Sequence, residues 1–110
     1  MRILLIHQNF PGQYKHLGPA LAARGDEVVA LTPKVKKPAI WKGIRVVPYQ
    51  ISRGNAKGGH PWVVDLETKI IRGEACYDGA MLLKQQGFEP DVILAHHGWG
   101  ESMFLKDVWP

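Results

Sequence analysis

Two short segments of the chain carry residues that could bind a polar ligand. The first is a loop over residues 8–12, and the second is a loop over residues 97–100, which contains a histidine, a tryptophan and two glycines and directly follows another histidine, His96. An imidazole N–H can donate a hydrogen bond to a sugar hydroxyl or a phosphate, and an indole can stack on a ring. Glycine lets the backbone itself approach a ligand. We therefore take these two segments as candidate walls of one site.

Each candidate residue also has an interpretation that requires no ligand. His7 could be a core histidine, Trp99 could cap the core, and Glu101 could simply favour a helix N-terminus. His96 and His97 are adjacent on a predicted strand, so their side chains point to opposite faces and do not readily bind one metal ion. We predict no metal site, and the sequence leaves open whether His96 or His97 faces the ligand.

Apolar runs place both segments after buried strands. Residues 3–6 and 92–96 form almost entirely apolar runs that are too short for buried helices, which indicates strands covered on both faces. Residues 27–31 and 44–49 predict two further strands, and Pro48 places the latter at or near the sheet edge. The first and the last of these four strands lead into the candidate segments.

Helical spacing predicts three helices, over residues 13–24, 65–86 and 101–108, and polar composition predicts two loops, over residues 33–43 and 50–62. Pro19 leaves two alternatives for the first helix: a bend at the proline, or a short first turn before a helix that starts just ahead of it. The middle helix has an apolar face wide enough to need the sheet and a second partner. Two stripes make up this face: Leu66, Ile70, Tyr77 and Met81 form one, and Ile71, Ala75 and Leu82 form the other.

The order of these elements predicts an α/β fold with a four-stranded parallel sheet in the order 3-2-1-4. Strands one and four are then neighbours, and the strand order reverses between them. Open parallel sheets bind ligands in the crevice at this point, beyond the carboxyl ends of the strands. We therefore expect the two candidate segments to converge on one site. At 110 residues the chain forms one domain at most.

The composition excludes several classes of protein. The single cysteine, Cys76, rules out an internal disulfide and favours a reducing compartment, so we expect a cytoplasmic protein. The N-terminal apolar run is too short for a signal sequence or a membrane span. The glycine-rich motifs of nicotinamide dinucleotide sites and of P-loops are absent, as are the nucleophile motifs of serine and cysteine hydrolases.

The net charge of +4 is unevenly distributed along the chain. From residue 28 to residue 64 there is no Asp or Glu, whereas seven Lys and Arg residues fall there. This segment is either an ordinary solvated surface or a positive field that attracts phosphate-bearing partners or anionic lipid headgroups. No recognised nucleic-acid-binding motif accompanies the charge, so we expect no nucleic acid partner. Docking on a membrane surface around Trp41 is a third functional hypothesis.

Five blocks of the sequence resemble bacterial family 4 glycosyltransferases. They are RILLIHQNFPGQY at residues 2–14, LAARGDEV at 21–28, HPWVVDLETK at 60–69, RGEA at 72–75 and PDVILAHHGWGES at 90–102. The resemblance implies a Rossmann-like three-layer domain, truncated at its C-terminus. Such a domain is the N-terminal, acceptor-side half of a retaining enzyme with the two-domain GT-B architecture. It also implies that no cofactor and no metal ion take part.

The resemblance assigns roles to residues of both candidate segments. The loop after the first strand would face the donor diphosphate or the acceptor, and a histidine after the later strand would meet the transferred sugar. Together with the crevice argument, this gives the predicted site: Phe10, Pro11, Gly12, Gln13, Gly98 and Trp99 as substrate-binding residues, and His96 and His97 as catalytic candidates.

These features lead to one main hypothesis and one alternative. The main hypothesis is an incomplete N-terminal domain of a transferase that moves a hexose-type group from a nucleotide-sugar donor. The fragment would be inactive alone, because the donor-binding C-terminal domain is missing. Its acceptor would be lipid-linked or phosphate-linked, and the protein would be cytoplasmic or peripheral at the inner face of the membrane. The alternative is a non-catalytic α/β module that forms a homodimer through the fourth strand and the long helix.

Overall fold

Buried apolar runs of the sequence form the central strands of an α/β domain. The computed structural model describes residues 1–51, 53–96 and 99–110. In these ranges the chain forms the following strands and helices: β1 (Arg2–Ile6), α1 (Leu17–Ala23), β2 (Glu27–Thr32), β3 (Ala39–Trp41), β4 (Ile44–Pro48), α2 (Pro61–Gln85) and β5 (Val92–Ala95). Short 3-10 helices span Gly12–Tyr14 and Leu105–Asp107.

The strands form one sheet in the order β3-β4-β2-β1-β5. β4, β2, β1 and β5 pair with one another in parallel, which confirms the predicted α/β class and the predicted order of the four parallel strands. β1 lies between β2 and β5, so that Leu4 has Val29 on one side and Ile93 on the other. The side chains of residues 3–6 are at most 3% exposed, because helices or loops cover both faces of the sheet.

β3 is a fifth strand that the prediction of a four-stranded sheet missed. It pairs antiparallel with β4, so β3 is the edge strand and β4 lies next to it, near the edge as Pro48 indicated. Lys42 and Gly43 join the two strands with φ angles of 48° and 83°, as a two-residue type I′ hairpin turn requires. The predicted loop over residues 33–43 therefore contains a strand. No residue of β3 is fully buried, and this explains why no apolar run marks it.

The first helix follows the second alternative that Pro19 left open. A single 3-10 turn comes first, and α1 begins only at Leu17. The proline is then the third helical residue, where a backbone N–H has no partner within the helix. It consequently removes no hydrogen bond. The helix predicted over residues 13–24 therefore begins later than predicted, at Leu17.

α2 begins earlier than the predicted residue 65 and packs on the sheet with a narrower face. Nδ1 of His60 accepts a hydrogen bond from the N–H of Trp62 at 3.2 Å, and Pro61 occupies the first helical position. Leu66 and Leu82, which belong to the two predicted stripes, are 54% and 57% exposed, so the sheet covers only part of the predicted apolar face. The buried face consists of Ile71, Gly73, Ala75, Cys76, Gly79, Ala80 and Leu83.

The segment over residues 101–108 was predicted as a helix, and it is not an α-helix. Several of its backbone N–H groups bond to the third residue before them, for example Met103 to Gly100 and Val108 to Leu105. This tighter pattern rarely extends beyond a few residues. The segment buries Glu101, Leu105 and Val108, whereas Met103 is 46% exposed, so helical spacing predicts the packing of this segment only in part.

Apolar side chains fill both faces of the sheet and make three layers. α2 and the C-terminal segment cover the face that carries Leu4 and Ile6. α1 and the loop after β1 cover the opposite face, which carries Ile3 and Leu5. Within the described ranges, no helix is long and apolar enough to cross a bilayer.

Candidate ligand-binding site

The segments that follow β1 and β5 meet beyond the carboxyl ends of these strands. β1 and β5 are paired in register, Ile6 with Ala95, and His7 and His96 come next. The rings of His7 and Trp99 meet edge to face with their centroids 5.1 Å apart. Trp99 stacks on His96 at 3.9 Å, with 23° between the ring planes. We refer to His7, His96 and Trp99 as the ring cluster.

His7 is held in the neutral form at the base of the ring cluster. It is 6% exposed, and its Nδ1 accepts a hydrogen bond from the N–H of Asn9 at 3.0 Å. Burial lowers the pKa of His7 below its usual value, the nearby His96 lowers it further, and the Glu101 carboxylate opposes both effects. Because Nδ1 is the acceptor, neutral His7 carries its proton on Nε2. The core interpretation of His7 therefore fits its burial and its hydrogen bond.

The loop after β1 packs closely around the imidazole of His7. Gly12 has a φ of 45°, and a Cβ at this position would overlap the His7 ring. Any side chain here would have to displace the ring, so only glycine fits. On the other side of the loop, Phe10 is 6% exposed and meets Trp41 edge to face at 5.6 Å. The side chain of Phe10 thus belongs to the core.

α2 fixes the position of the Trp99 loop through backbone contacts. Gly100 has a φ of 99°, and a Cβ there would overlap the backbone of Lys69 in α2. A Cβ on Gly73 would lie 2.7 Å from the carbonyl oxygen of Gly100. The helix and the loop therefore approach each other as closely as two glycines permit. This contact holds Trp99 against the two histidines.

Glu101 is a buried carboxylate immediately after this loop. It is 2% exposed, and its Oε2 accepts a hydrogen bond from the hydroxyl of Tyr49 at 2.8 Å. Burial and the negative charge of Glu101 raise the pKa of Tyr49 and that of the Cys76 thiol, so both stay protonated. Sequence reasoning expected Glu101 at a helix N-terminus. The strand order alone does not reveal its pairing with a tyrosine at the end of β4.

The predicted site residues have different environments. Two of them, His97 and Gly98, lie outside the described residues. The others are distributed as follows: Phe10 is buried, Pro11, His96 and Trp99 are partly buried, and Gly12 and Gln13 are exposed. Sequence reasoning did not include His7 in the site, although its position next to the first loop is the signal that could have added it.

The ring cluster offers hydrogen-bonding and stacking groups. Nδ1 of His96 is inaccessible to water and has no hydrogen-bond partner among the described residues. Across these same residues, no group of three or more His, Cys, Asp and Glu side chains could hold a metal ion. The arrangement suits a ligand that combines a ring with hydroxyl or phosphate oxygens.

Comparison with known proteins adds one family. The sequence profile of the glycosyl transferase family 4 group matches residues 24–110. The matched span includes His96 and Trp99 and does not include the loop after β1. No curated protein matches the chain, and no solved structure does.

Proposed function

Because the chain belongs to the glycosyl transferase family 4 group, we propose that it is the acceptor-side half of a two-domain GT-B glycosyltransferase. In this proposal a second Rossmann-like domain, C-terminal to this one, binds most of the nucleotide-sugar donor. The transferred group is of the hexose type, and the protein acts in the cytoplasm without a metal ion or a cofactor. The family supports glycosyl transfer as the activity, and the ring cluster supports the place where the sugar binds.

The stack of His96 on Trp99, with His7 against the indole edge, is the observation that carries this proposal. It lies beside the point where the strand order reverses, which is where parallel sheets bind ligands. A partly exposed indole gives a face for the apolar side of a sugar ring, and an imidazole gives a hydrogen-bonding group for its hydroxyls.

In the proposed enzyme, this domain contributes to catalysis by positioning the substrates. In the proposed enzyme, the barrier falls mainly through stabilisation of the leaving diphosphate and through orientation of the acceptor. We assign contact with the transferred sugar to His96 or His97. The exposed Gly12 and Gln13 approach the donor diphosphate or the acceptor. Since the main donor contacts belong to the other domain, the 110-residue chain is inactive alone.

The test uses the full-length transferase that contains this chain, assayed with nucleoside diphosphate sugars. We expect His96→Ala or His97→Ala to lower kcat by about 100-fold or more, as for the loss of a group that acts in the transition state. His16→Ala, at an exposed position, is the matched control and should retain activity. If both variants stay fully active, neither histidine belongs to the site. If the 110-residue chain alone transfers sugar as fast as the full-length protein, the two-domain assignment is wrong.

Self-association is a second candidate function, favoured by two exposed surfaces. β5 is an edge strand of the sheet, and its Val92 is 38% exposed. At the start of α2, Trp62 is 83% exposed and Val63 is 58% exposed. Edge strands and apolar patches are the usual contacts between copies of a chain. Light scattering decides this point, because a strict monomer over the accessible concentration range rejects the homodimer.

A further inference from the structure

A groove of about 370 Å³ lies between the loop after β1 and the β3–β4 hairpin. We call it the hairpin groove. Its volume falls within the range of small-molecule sites, about 300–1,000 Å³. Six of the residues that line it are Phe10, Pro11, Lys34, Val35, Ile40 and Trp41.

The walls of the hairpin groove are mostly apolar. The rings of Phe10 and Trp41 meet edge to face with 84° between their planes and form one stretch of wall. Ile40, on the edge strand β3, is 73% exposed, so the protein covers little of its side chain. An apolar ligand in the groove would remove this surface from water, which is favourable in proportion to the area covered.

The rim of the groove is positively charged. Lys34 lines it, and Nζ of Lys42 lies 5.2 Å from the centre of the Trp41 ring. Lys36 and Lys37 are exposed in the same segment, and no Asp or Glu occurs from residue 28 to residue 64. None of these four lysines forms an ion pair with a carboxylate of the described residues. The groove therefore complements a ligand that has an apolar tail and an anionic head.

We propose that the hairpin groove binds a single-chain amphiphile that ends in a phosphate, such as an alkyl or prenyl phosphate. This inference rests on the proposed function for its role: the amphiphile is the acceptor or carries it. The groove and the ring cluster share one loop, since Pro11 lines the groove and the next residue, Gly12, packs on His7. A phosphate at the lysine rim would thus lie beside the loop that borders the sugar site.

The test measures binding of decyl phosphate, below its micelle concentration, to the 110-residue chain by calorimetry. Decyl maltoside and inorganic phosphate are the reference probes, because each carries only one of the two required features. We expect decyl phosphate to bind at least about tenfold more tightly than either, a difference of about 1.4 kcal/mol. Ile40→Asp and Lys34→Glu should each weaken binding by about tenfold or more, since they place a negative charge at the wall or the rim.

Two matched variants separate the groove from a general surface effect. Leu66→Asp and Lys106→Glu make the same changes at exposed positions outside the groove and should leave binding unchanged. Urea unfolding of all four variants verifies that they are folded, as their exposed positions predict. The proposal is overturned if decyl maltoside binds equally well or if the control variants weaken binding as much. Binding only to vesicles that contain phosphatidylglycerol, with none to monomeric decyl phosphate, would also overturn it and indicate a membrane surface instead.

Because no donor is present, this experiment is independent of sugar transfer. If a full-length protein binds decyl phosphate but transfers no sugar, the proposal for the groove stands and the proposed function is rejected. Sugar transfer by a protein whose groove binds no decyl phosphate would reject only the groove.

Discussion

At the scale of single residues, His7 connects the core of the domain to the candidate site. Its Nδ1 is occupied by the N–H of Asn9, and its ring supports both Gly12 and Trp99. A charged imidazole at this position would lose hydration and could not keep Nδ1 as an acceptor. The packing of both candidate loops therefore depends on a neutral His7.

If the packing depends on neutral His7, the stability of the protein should change with pH. Burial and His96 hold the pKa of His7 below its usual 6.5. Below pH 6.5 the unfolded chain binds more protons at this residue than the folded chain, so the free energy of unfolding falls as the pH falls. The stabilisation is complete above pH 6.5 and is lost as the pH decreases through the lower, folded-state value. Urea unfolding between about pH 7.5 and about pH 5 measures the slope.

A variant without this titrating group identifies the residue responsible. His7→Gln cannot take up a proton, so its stability should change less with pH over the same interval. The comparison uses the slopes and not the absolute stabilities, because the substitution also alters packing. An unchanged slope in His7→Gln would show that another group causes the pH dependence.

At the scale of elements, the sequence predicted the strands that are marked by apolar runs and missed the one that is not. Ile3 to Ile6 must be covered on both faces, and this requirement alone places β1 inside a parallel sheet. β3 could not be found in the same way, because Ile40 lies 73% exposed on an edge and the turn at Lys42 and Gly43 lacks the usual Asn-Gly signal.

For the candidate site, the sequence predicted that the two loops converge but not the contacts between their side chains. The convergence of the two loops follows from the strand order, which the apolar runs determine. The edge-to-face contact of His7 with Trp99 and the bond between Tyr49 and Glu101 join residues far apart in the sequence. They depend on how α2 lies on the sheet, and no local pattern records that.

The contact between α2 and the Trp99 loop gives a prediction for an element. Gly100→Ala introduces a Cβ into the backbone of Lys69, and Gly25→Ala introduces one where nothing lies within 4 Å. Both glycines have a φ of 99°, so the backbone strain of about 1–2 kcal/mol is shared. We expect Gly100→Ala to cost about 1–3 kcal/mol more than Gly25→Ala, the usual penalty for overpacking. Urea unfolding measures both, and equal losses of stability would mean that α2 does not fix the loop.

At the scale of the whole molecule, the two proposed ligand surfaces lie on either side of one loop. The ring cluster contacts that loop at Gly12, and the hairpin groove contacts it at Phe10 and Pro11. β1 carries the loop and occupies the middle of the sheet, paired with both β2 and β5. The strand that gives the domain its core is thus the strand that positions both surfaces.

This central role gives a prediction for the whole fold. The span matched by the family profile, residues 24–110, lacks β1 and α1. β2 and β5 each pair with β1 and not with each other, so without β1 they lose the ladder that joins them. We expect residues 24–110 alone to show no cooperative urea unfolding, and a peptide of residues 1–23, which carries both missing elements, to restore the transition. Ile40→Asp in the intact chain is the control and should unfold cooperatively, because its side chain is exposed at the sheet edge. A cooperative transition of residues 24–110 without the peptide would mean that the sheet forms around another strand, and the shared loop would then not be what aligns the groove with the ring cluster.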